Sequence, residues 1–408
     1  MSERIVIVGA GLGGARAAFS LRERGFAGEI ALIGDETHAP YDRPPLSKQT
    51  LLDEPDPRLV APLEALVQAN IAHTGGVRVD GIDRAQRCVI LNNGISKPYD
   101  KLLLATGARP RMLPGLRRSA RLLTLRTHDD AVAMRERFTP GARMIVVGGG
   151  FIGLELAATA RKRGLIVTVI EGFSRLMARA VPAEIATVMQ ARHREEGVEI
   201  LLNSVVAAVR ELDDEIHLEL QDGRGVAGDF AVVGIGAIPN DELAVQAGLM
   251  VDNGIAVDRF LRTSDPDIYA VGDCCSFPAA IYGDRRIRLE SWRSAQDQGV
   301  LVAGNMLGGN EPFVDVPWSW SDQYGLTLQV AGLATTATKS VRRDLDGGAF
   351  ILFHLDEEGR IVAASGIGTG NAVGRAMRLA EMLIATKAKP GMADLGSSNI
   401  KLKSLLAA

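Results

Sequence analysis

The stretch "RIVIVGAGLGGARAAFSLRERGFAGEIALIGD", residues 4–35, decides the fold. It reads as strand, glycine turn, helix, turn, strand. Residues 5–8 are a continuous apolar run, the pattern of a strand buried on both faces of a parallel sheet. Residues 15–24 carry helical spacing, and Gly25 closes them. Glu29–Ile33 is a second strand, followed by Asp35 and Glu36. The turn between is Gly9-x-Gly11-x-x-Gly14. Its first glycine makes the turn, its second lets backbone approach a pyrophosphate, and its third lets helix and strand pack closely. The helix N-terminus then faces the phosphate charge.

The pattern returns roughly 140 residues later as "ARMIVVGGGFIGLELAATARKRGLIVTVIEG", residues 142–172. Residues 144–147 form the strand, Gly148-x-Gly150-x-x-Gly153 the turn, and residues 154–163 the helix. Ile166–Ile170 is the second strand and ends at Glu171. A lone glycine turn is weak evidence. Here both copies stand between strand and helix, with an acid roughly twenty residues on. Two copies imply two dinucleotide-binding domains. Asp35 or Glu36 can hold the ribose hydroxyls of one nucleotide and Glu171 those of the other. A carboxylate there disfavours a 2′-phosphate, so NADH is expected over NADPH. Arg175 and Arg179 stand nearby and weaken that preference slightly.

The remaining chain fits around these units. "YDKLLLATGARPR" and "DFAVVGIGAIPN" are each a strand running into a small-residue turn, and "TSDPDIYAVGDCCS" is a short strand ending at Gly272 and Asp273. Beyond Pro317, "AFILFHLDEEGRIVAASGIG" predicts two strands joined at residues 357–359, and "NAVGRAMRLAEMLIATKA" an amphipathic helix. The tail from Gly396 reads as surface. The fold class is α/β: two Rossmann-like dinucleotide-binding domains plus a C-terminal α+β domain. The expected boundaries are 1–110 and 239–317 for the first dinucleotide-binding domain, 111–238 for the second, and 318–408 for the last domain.

Composition excludes several classes. With 47% hydrophobic and 23% charged residues, the 408-residue chain suits a globular protein of two or three domains. A net charge of −3 gives no basic footprint for nucleic acid. The apolar run at residues 5–8 is too short for a signal peptide, and no stretch approaches the ~18 residues of a membrane span. Cys88, Cys274 and Cys275 cannot build a disulfide framework. A cytoplasmic protein without nucleic-acid or membrane partners and without a metal site is expected.

The motifs "GAGLGG", "YDRPPLSK", "LLLATGARPR", "VVGGGFIGLELAA", "VVGIGAIPN", "DIYAVGDCCS", "ESWRSAQDQG" and "PWSWSDQYG" together resemble the FAD-dependent ferredoxin reductases of bacterial aromatic-ring dioxygenase and cytochrome P450 systems. The resemblance spans the whole chain and its motif order. It implies FAD in the first unit, NADH in the second, and a [2Fe–2S] ferredoxin as electron acceptor. The protein would be a monomer or weak homodimer. By the same resemblance, Gly13, Asp35, Arg43, Lys48, Val79, Ala105, Thr106 and Gly107 match flavin-nucleotide positions. Arg126 matches the arginine near the pyrophosphate, Asp273 the acid on the ribityl chain, and Trp292 a position along the isoalloxazine. Phe151, Ile152, Glu155, Glu171 and Gly236 match nicotinamide-nucleotide contacts. Lys48 would lie beside flavin N5 and pair with Glu155 toward the nicotinamide. Trp320 would lie between flavin and ferredoxin, with Trp318 packed in the third domain. Arg285, Arg286, Arg288 and Arg293 form either a basic rim for an acidic ferredoxin or a solvated face.

The adjacent cysteines of "AVGDCCSFP" raise a rival chemistry. Disulfide reductases of related fold space their cysteines C-x-x-C or C-x-x-x-x-C, and single-cysteine relatives carry theirs near residue 45, where this chain reads "PYDRPPLSK". Cys274 and Cys275 fit neither pattern and are expected to be small buried hydrophobes, leaving the flavin as sole redox centre. The alternatives are a peroxide-forming NADH oxidase or quinone reductase, and a redox-controlled binding protein.

Overall fold

The computed structural model describes residues 3–407. Two compact units emerge: residues 1–42, 58–109 and 238–317, and residues 43–57, 110–237 and 318–408.

The first unit is built on a five-stranded parallel sheet. Its strand order is Ile268–Ala270, Lys101–Leu104, Arg4–Val8, Glu29–Ile33, Ile71–Thr74. Val8 pairs with Ile33 on one side and with Leu104 on the other. The chain order reverses beside Arg4–Val8, the switch point where α/β sheets bind ligands at the carboxyl ends of their strands. Ile5, Ile7, Leu32, Leu102, Leu103 and Leu104 are fully buried. The Leu12–Glu23 helix packs on the Trp292–Met306 helix. Glycines make this approach close: a Cβ on Gly299 would sit 2.6 Å from the Gly13 carbonyl oxygen.

The second unit repeats the plan with Glu199–Leu201, Ile166–Ile170, Arg143–Val147, Phe230–Val233 and Leu122–Leu123, all parallel. It also contains a five-stranded antiparallel sheet in the order Trp318–Gln323, Leu326–Gly332, Ile361–Thr369, Phe350–Leu355, Lys339–Asp344. The Gly374–Ala385 helix covers that sheet, burying Met377, Ala380, Leu383 and Ile384.

Two sequence expectations are corrected here. Residues 43–57, which the sequence places in one continuous first segment, pack with the second unit. Polar ties explain this: the buried Thr159 hydroxyl donates to Ser47 O at 2.8 Å, and Arg135 donates to Leu52 O at 3.0 Å. The tail read as surface buries Leu402 and Leu405, and Arg343 donates to Leu395 O at 3.2 Å and to Ile400 O. Among the described residues, no helix is long and apolar enough to cross a membrane.

Candidate functional site

Each glycine turn divides its labour as the spacing requires. Gly9 has φ +113°, and a Cβ there would lie 2.1 Å from Ala105 O. A Cβ on Gly14 would lie 2.0 Å from Gly9 O. Gly11, by contrast, has nothing within 4 Å of where its Cβ would be. The second turn matches it: 2.4 Å from Gly148 to Gly234 O, 2.1 Å from Gly153 to Gly148 O, and open space at Gly150. First and third glycines are closed by protein, while the second faces an open cradle. Gly11 and Gly150 are also the N-caps of their helices, with no side-chain cap on either. The backbone N–H groups of both helix starts are therefore available to a phosphate. This geometry fits a dinucleotide pyrophosphate at each turn.

Around the first turn, Asp35 is exposed, while Glu36 accepts a hydrogen bond from the Tyr41 hydroxyl at 2.5 Å. Gly13 is buried, and a Cβ there would meet Ala295 O and Val271 Cγ2, each at 3.3 Å. Its missing side chain thus serves helix packing. Val79 is buried in the Val79–Asp83 strand. Ala105, Thr106 and Gly107 leave the Lys101–Leu104 strand, and Asn240 fixes that turn by donating to Thr106 O at 2.9 Å and to Gly107 O at 3.0 Å. Trp292 opens its helix and donates from Nε1 to Asp42 at 2.6 Å. Asp273 lies half-buried in the short Gly272–Cys274 turn, where Gln298 accepts from Gly272 N at 2.7 Å.

Arg288 holds the same turn. It donates to Asp273 O at 3.1 Å, pairs with Glu290 at 2.9 Å, and its side chain is only 10% exposed. Arg286 is likewise committed to Val257 O at 3.1 Å and to Ser276 O, and Arg293 pairs with Asp297 at 3.5 Å. Arg285 and Arg286 are exposed, while Arg288 is turned inward as a strut on the Asp273 turn.

The cysteines form no disulfide. Cys88, Cys274 and Cys275 are all free thiols. Cys274 and Cys275 are fully buried, and burial pushes both thiols above their usual range. The Cys274 thiol points at Val271 O, 3.2 Å away. Thiols so placed are inert.

In the second unit, Glu171 is more tightly held than the sequence suggests. Its Oε2 accepts from Gly149 N at 2.7 Å and its Oε1 from Phe173 N at 2.8 Å. Arg175 spends its guanidinium on Val181 O and Ala178 O, at 2.7 and 2.8 Å. Arg179 lies over the Phe173 ring at 5.8 Å. Phe151 and exposed Ile152 begin the helix, and Gly236, at φ +118°, is exposed at the strand-end turn. Arg43 donates to Arg126 O at 2.6 Å, and Asp130 accepts from Arg126 N at 2.9 Å.

Lys48 and Glu155 meet as the resemblance implied, with Nζ 2.6 Å from Oε2. Ser47 donates to that same oxygen at 2.6 Å, and Ser321 donates to Oε1 at 2.6 Å. The sequence reading missed both serines, although each lies in a quoted motif. Trp318 stacks on Trp320 of the same strand, centroids 5.2 Å apart and planes at 26°, both half-buried. Two residues apart on a strand, they share a face.

A family model described as pyridine nucleotide-disulphide oxidoreductase matches residues 3–299, and one described as reductase C-terminal matches residues 318–406. The chain is 41% identical to the ferredoxin–NAD(+) reductase component of the anthranilate 1,2-dioxygenase system of Burkholderia cepacia, covering 99% of this chain and 100% of the relative. It is 36% identical to putidaredoxin reductase of Pseudomonas putida, covering 100% of this chain and 97% of that protein. Among solved structures, it matches the covalent putidaredoxin reductase–putidaredoxin complex with a TM-score of 0.93 at 35% identity, over 99% of this chain and 98% of the other. The chain belongs to the pyridine nucleotide-disulphide oxidoreductase family, among its ferredoxin–NAD(+) reductases.

Proposed function

We propose that this protein moves electrons from NADH through FAD to a [2Fe–2S] ferredoxin that feeds an aromatic-ring oxygenase or a cytochrome P450. One observation carries the reading: two nucleotide cradles of matching geometry in a chain whose paired cysteines are buried and unbonded. Bound FAD supplies the chemistry, accepting a hydride from NADH and giving electrons singly to a one-electron carrier.

The chain's own residues bind and orient. The Gly9–Gly14 turn takes the FAD pyrophosphate and the Gly148–Gly153 turn that of NADH. Asp35, Arg43, Val79, Ala105 to Gly107, Arg126, Asp273 and Trp292 hold the flavin nucleotide, and Phe151, Ile152, Glu171 and Gly236 hold NADH. Lys48 presents a cation, fixed by Glu155, where it favours reduced flavin. Preference for NADH follows from Glu171. Arg175 offsets it little, since its Nη1 and Nη2 each donate to a backbone carbonyl.

Ferredoxin as the acceptor is supported by the ferredoxin reductases that this chain resembles over nearly its full length. The test is stopped-flow of both half-reactions. Reduction of a [2Fe–2S] ferredoxin from the same oxygenase system should outrun oxidation by air, and Trp320→Ala should slow it about tenfold while hydride transfer from NADH changes less. Ferredoxin reduction no faster than air oxidation would replace this reading with an NADH oxidase.

A further inference from the structure

We infer that Ser321, Gln323 and His193 are positioning residues that hold the Glu155 carboxylate through a one-way line of hydrogen-bond donors. The inference rests on the reading of Glu155 as a residue of the NADH site. Its geometry is independent of that reading.

The line starts at Glu155. Ser321 Oγ donates to Oε1 at 2.6 Å, which uses the only proton of the hydroxyl. Gln323 Nε2 donates to Ser321 Oγ at 2.9 Å. The amide oxygen of Gln323 then faces His193 Nε2 at 2.7 Å, so that nitrogen must carry the proton. His193 Nδ1 has no hydrogen-bond partner, as suits the bare nitrogen of this tautomer. Burial lowers the imidazole's affinity for a second proton. Every donor thus points the same way, toward the carboxylate, an arrangement in which successive bonds polarise one another.

All three residues are buried, with His193 and Ser321 at 0% and Gln323 at 2% exposure. Polar groups so deep are costly unless bonded. Valine and leucine at 321 and 323 would fill the space with no such demand. What the polar residues add is direction. Lys48 and Ser47 both meet Oε2, one edge of the carboxylate. Ser321 fixes the second oxygen, and Gln323 and His193 fix Ser321. The His193 ring in turn packs nearly perpendicular to the Tyr324 ring, centroids 5.0 Å apart at 77°. Strand alternation makes this possible: Trp318–Gln323 turns Ser321 and Gln323 to the face opposite Trp318 and Trp320.

Two measurements test the line. In stopped-flow, Ser321→Ala should slow flavin reduction at saturating NADH about tenfold, with NADH affinity altered less than about twofold. Ser321→Thr, which keeps the hydroxyl, should restore the rate. Gln323→Leu should slow it about threefold and carries the same test if Ser321→Ala fails to fold. The second measurement needs no turnover. In protein labelled with 15N at its six histidines, the His193 ring, assigned by its loss in His193→Phe, should be the neutral Nε2–H tautomer. Its ring proton should shift in Ser321→Ala, a change relayed through Gln323.

An Nδ1–H tautomer, or a His193 signal indifferent to Ser321→Ala, would overturn the line. So would an unchanged hydride rate in Ser321→Ala and Gln323→Leu when Glu155→Gln slows it. If Glu155→Gln itself leaves the rate unchanged, Glu155 has no part in hydride transfer, and the functional reading of both falls.

Discussion

The two glycine turns begin alike and end differently. In each, the first strand pairs in parallel with the second, Val8 against Ile33 and Val147 against Ile170. In the second copy the next residue is Glu171; in the first it is Gly34, and the acid comes one place later at Asp35. A Cβ on Gly34 would lie 2.7 Å from the Ala10 methyl, so no side chain fits there. At the matching point in the second turn stands Gly149, whose N–H binds the Glu171 carboxylate. One methyl group against none decides whether the acid is locked to the turn or left at the surface. The helices diverge as well. Two residues past the third glycine, Arg16 makes a surface contact with Glu23 at 3.6 Å, while Glu155 is buried and accepts from Ser47, Lys48 and Ser321. A shared scaffold leaves an open cradle in both copies, and the residues that differ set a buried carboxylate in one.

Exchanging roles among the glycines should break the comparison most severely. Gly14→Ala and Gly153→Ala put a methyl about 2 Å from a backbone carbonyl, a clash worth about 3 kcal/mol or more. Each should yield a much less stable chain by thermal unfolding. Gly11→Ala and Gly150→Ala meet open space and should cost under about 1 kcal/mol of fold stability. They should act on nucleotides instead, and selectively. Gly11→Ala should weaken flavin retention about tenfold or more with NADH affinity intact, and Gly150→Ala the reverse. Equilibrium binding of each nucleotide reads this, and a crossed pattern would invert the assignment of the two units.

The acids sharpen it further. Glu171→Gln should lower the ratio of kcat/KM for NADH over NADPH about tenfold, because the charge that repels a 2′-phosphate is gone. Asp35→Asn, at an exposed site without the backbone ties of Glu171, should weaken flavin binding only about threefold. Equal effects of the two substitutions on their own nucleotides would mean that the ties to Gly149 and Phe173 do not matter.

What was legible in the sequence was local. Apolar runs, glycine spacing and the acids placed both nucleotide units, since each signal lies within one βαβ stretch. The two strands and helix after residue 348 followed from periodicity alone. Contacts between distant segments were not legible. Nothing near Arg288 says that it will hold Asp273 O, and only the fold turns a basic stretch into struts. The tail looked polar because Leu402 and Leu405 are too few to show a period. His193 sits among charged residues of the Ala183–Glu195 helix, so its burial could not be foreseen. Ser321 left a trace in the alternation of "WSWSDQ", where the tryptophans take one face and the polar residues the other.

The central claim, that a flavin alone carries the redox chemistry in a fold shared with disulfide reductases, has a direct measurement. Anaerobic titration of the purified protein with dithionite counts the electrons accepted per bound flavin. The account predicts two, with an identical endpoint in the double variant Cys274→Ala with Cys275→Ala. Four electrons per flavin, falling to two in that variant, would show a thiol–disulfide couple at work beside the flavin and would contradict the account.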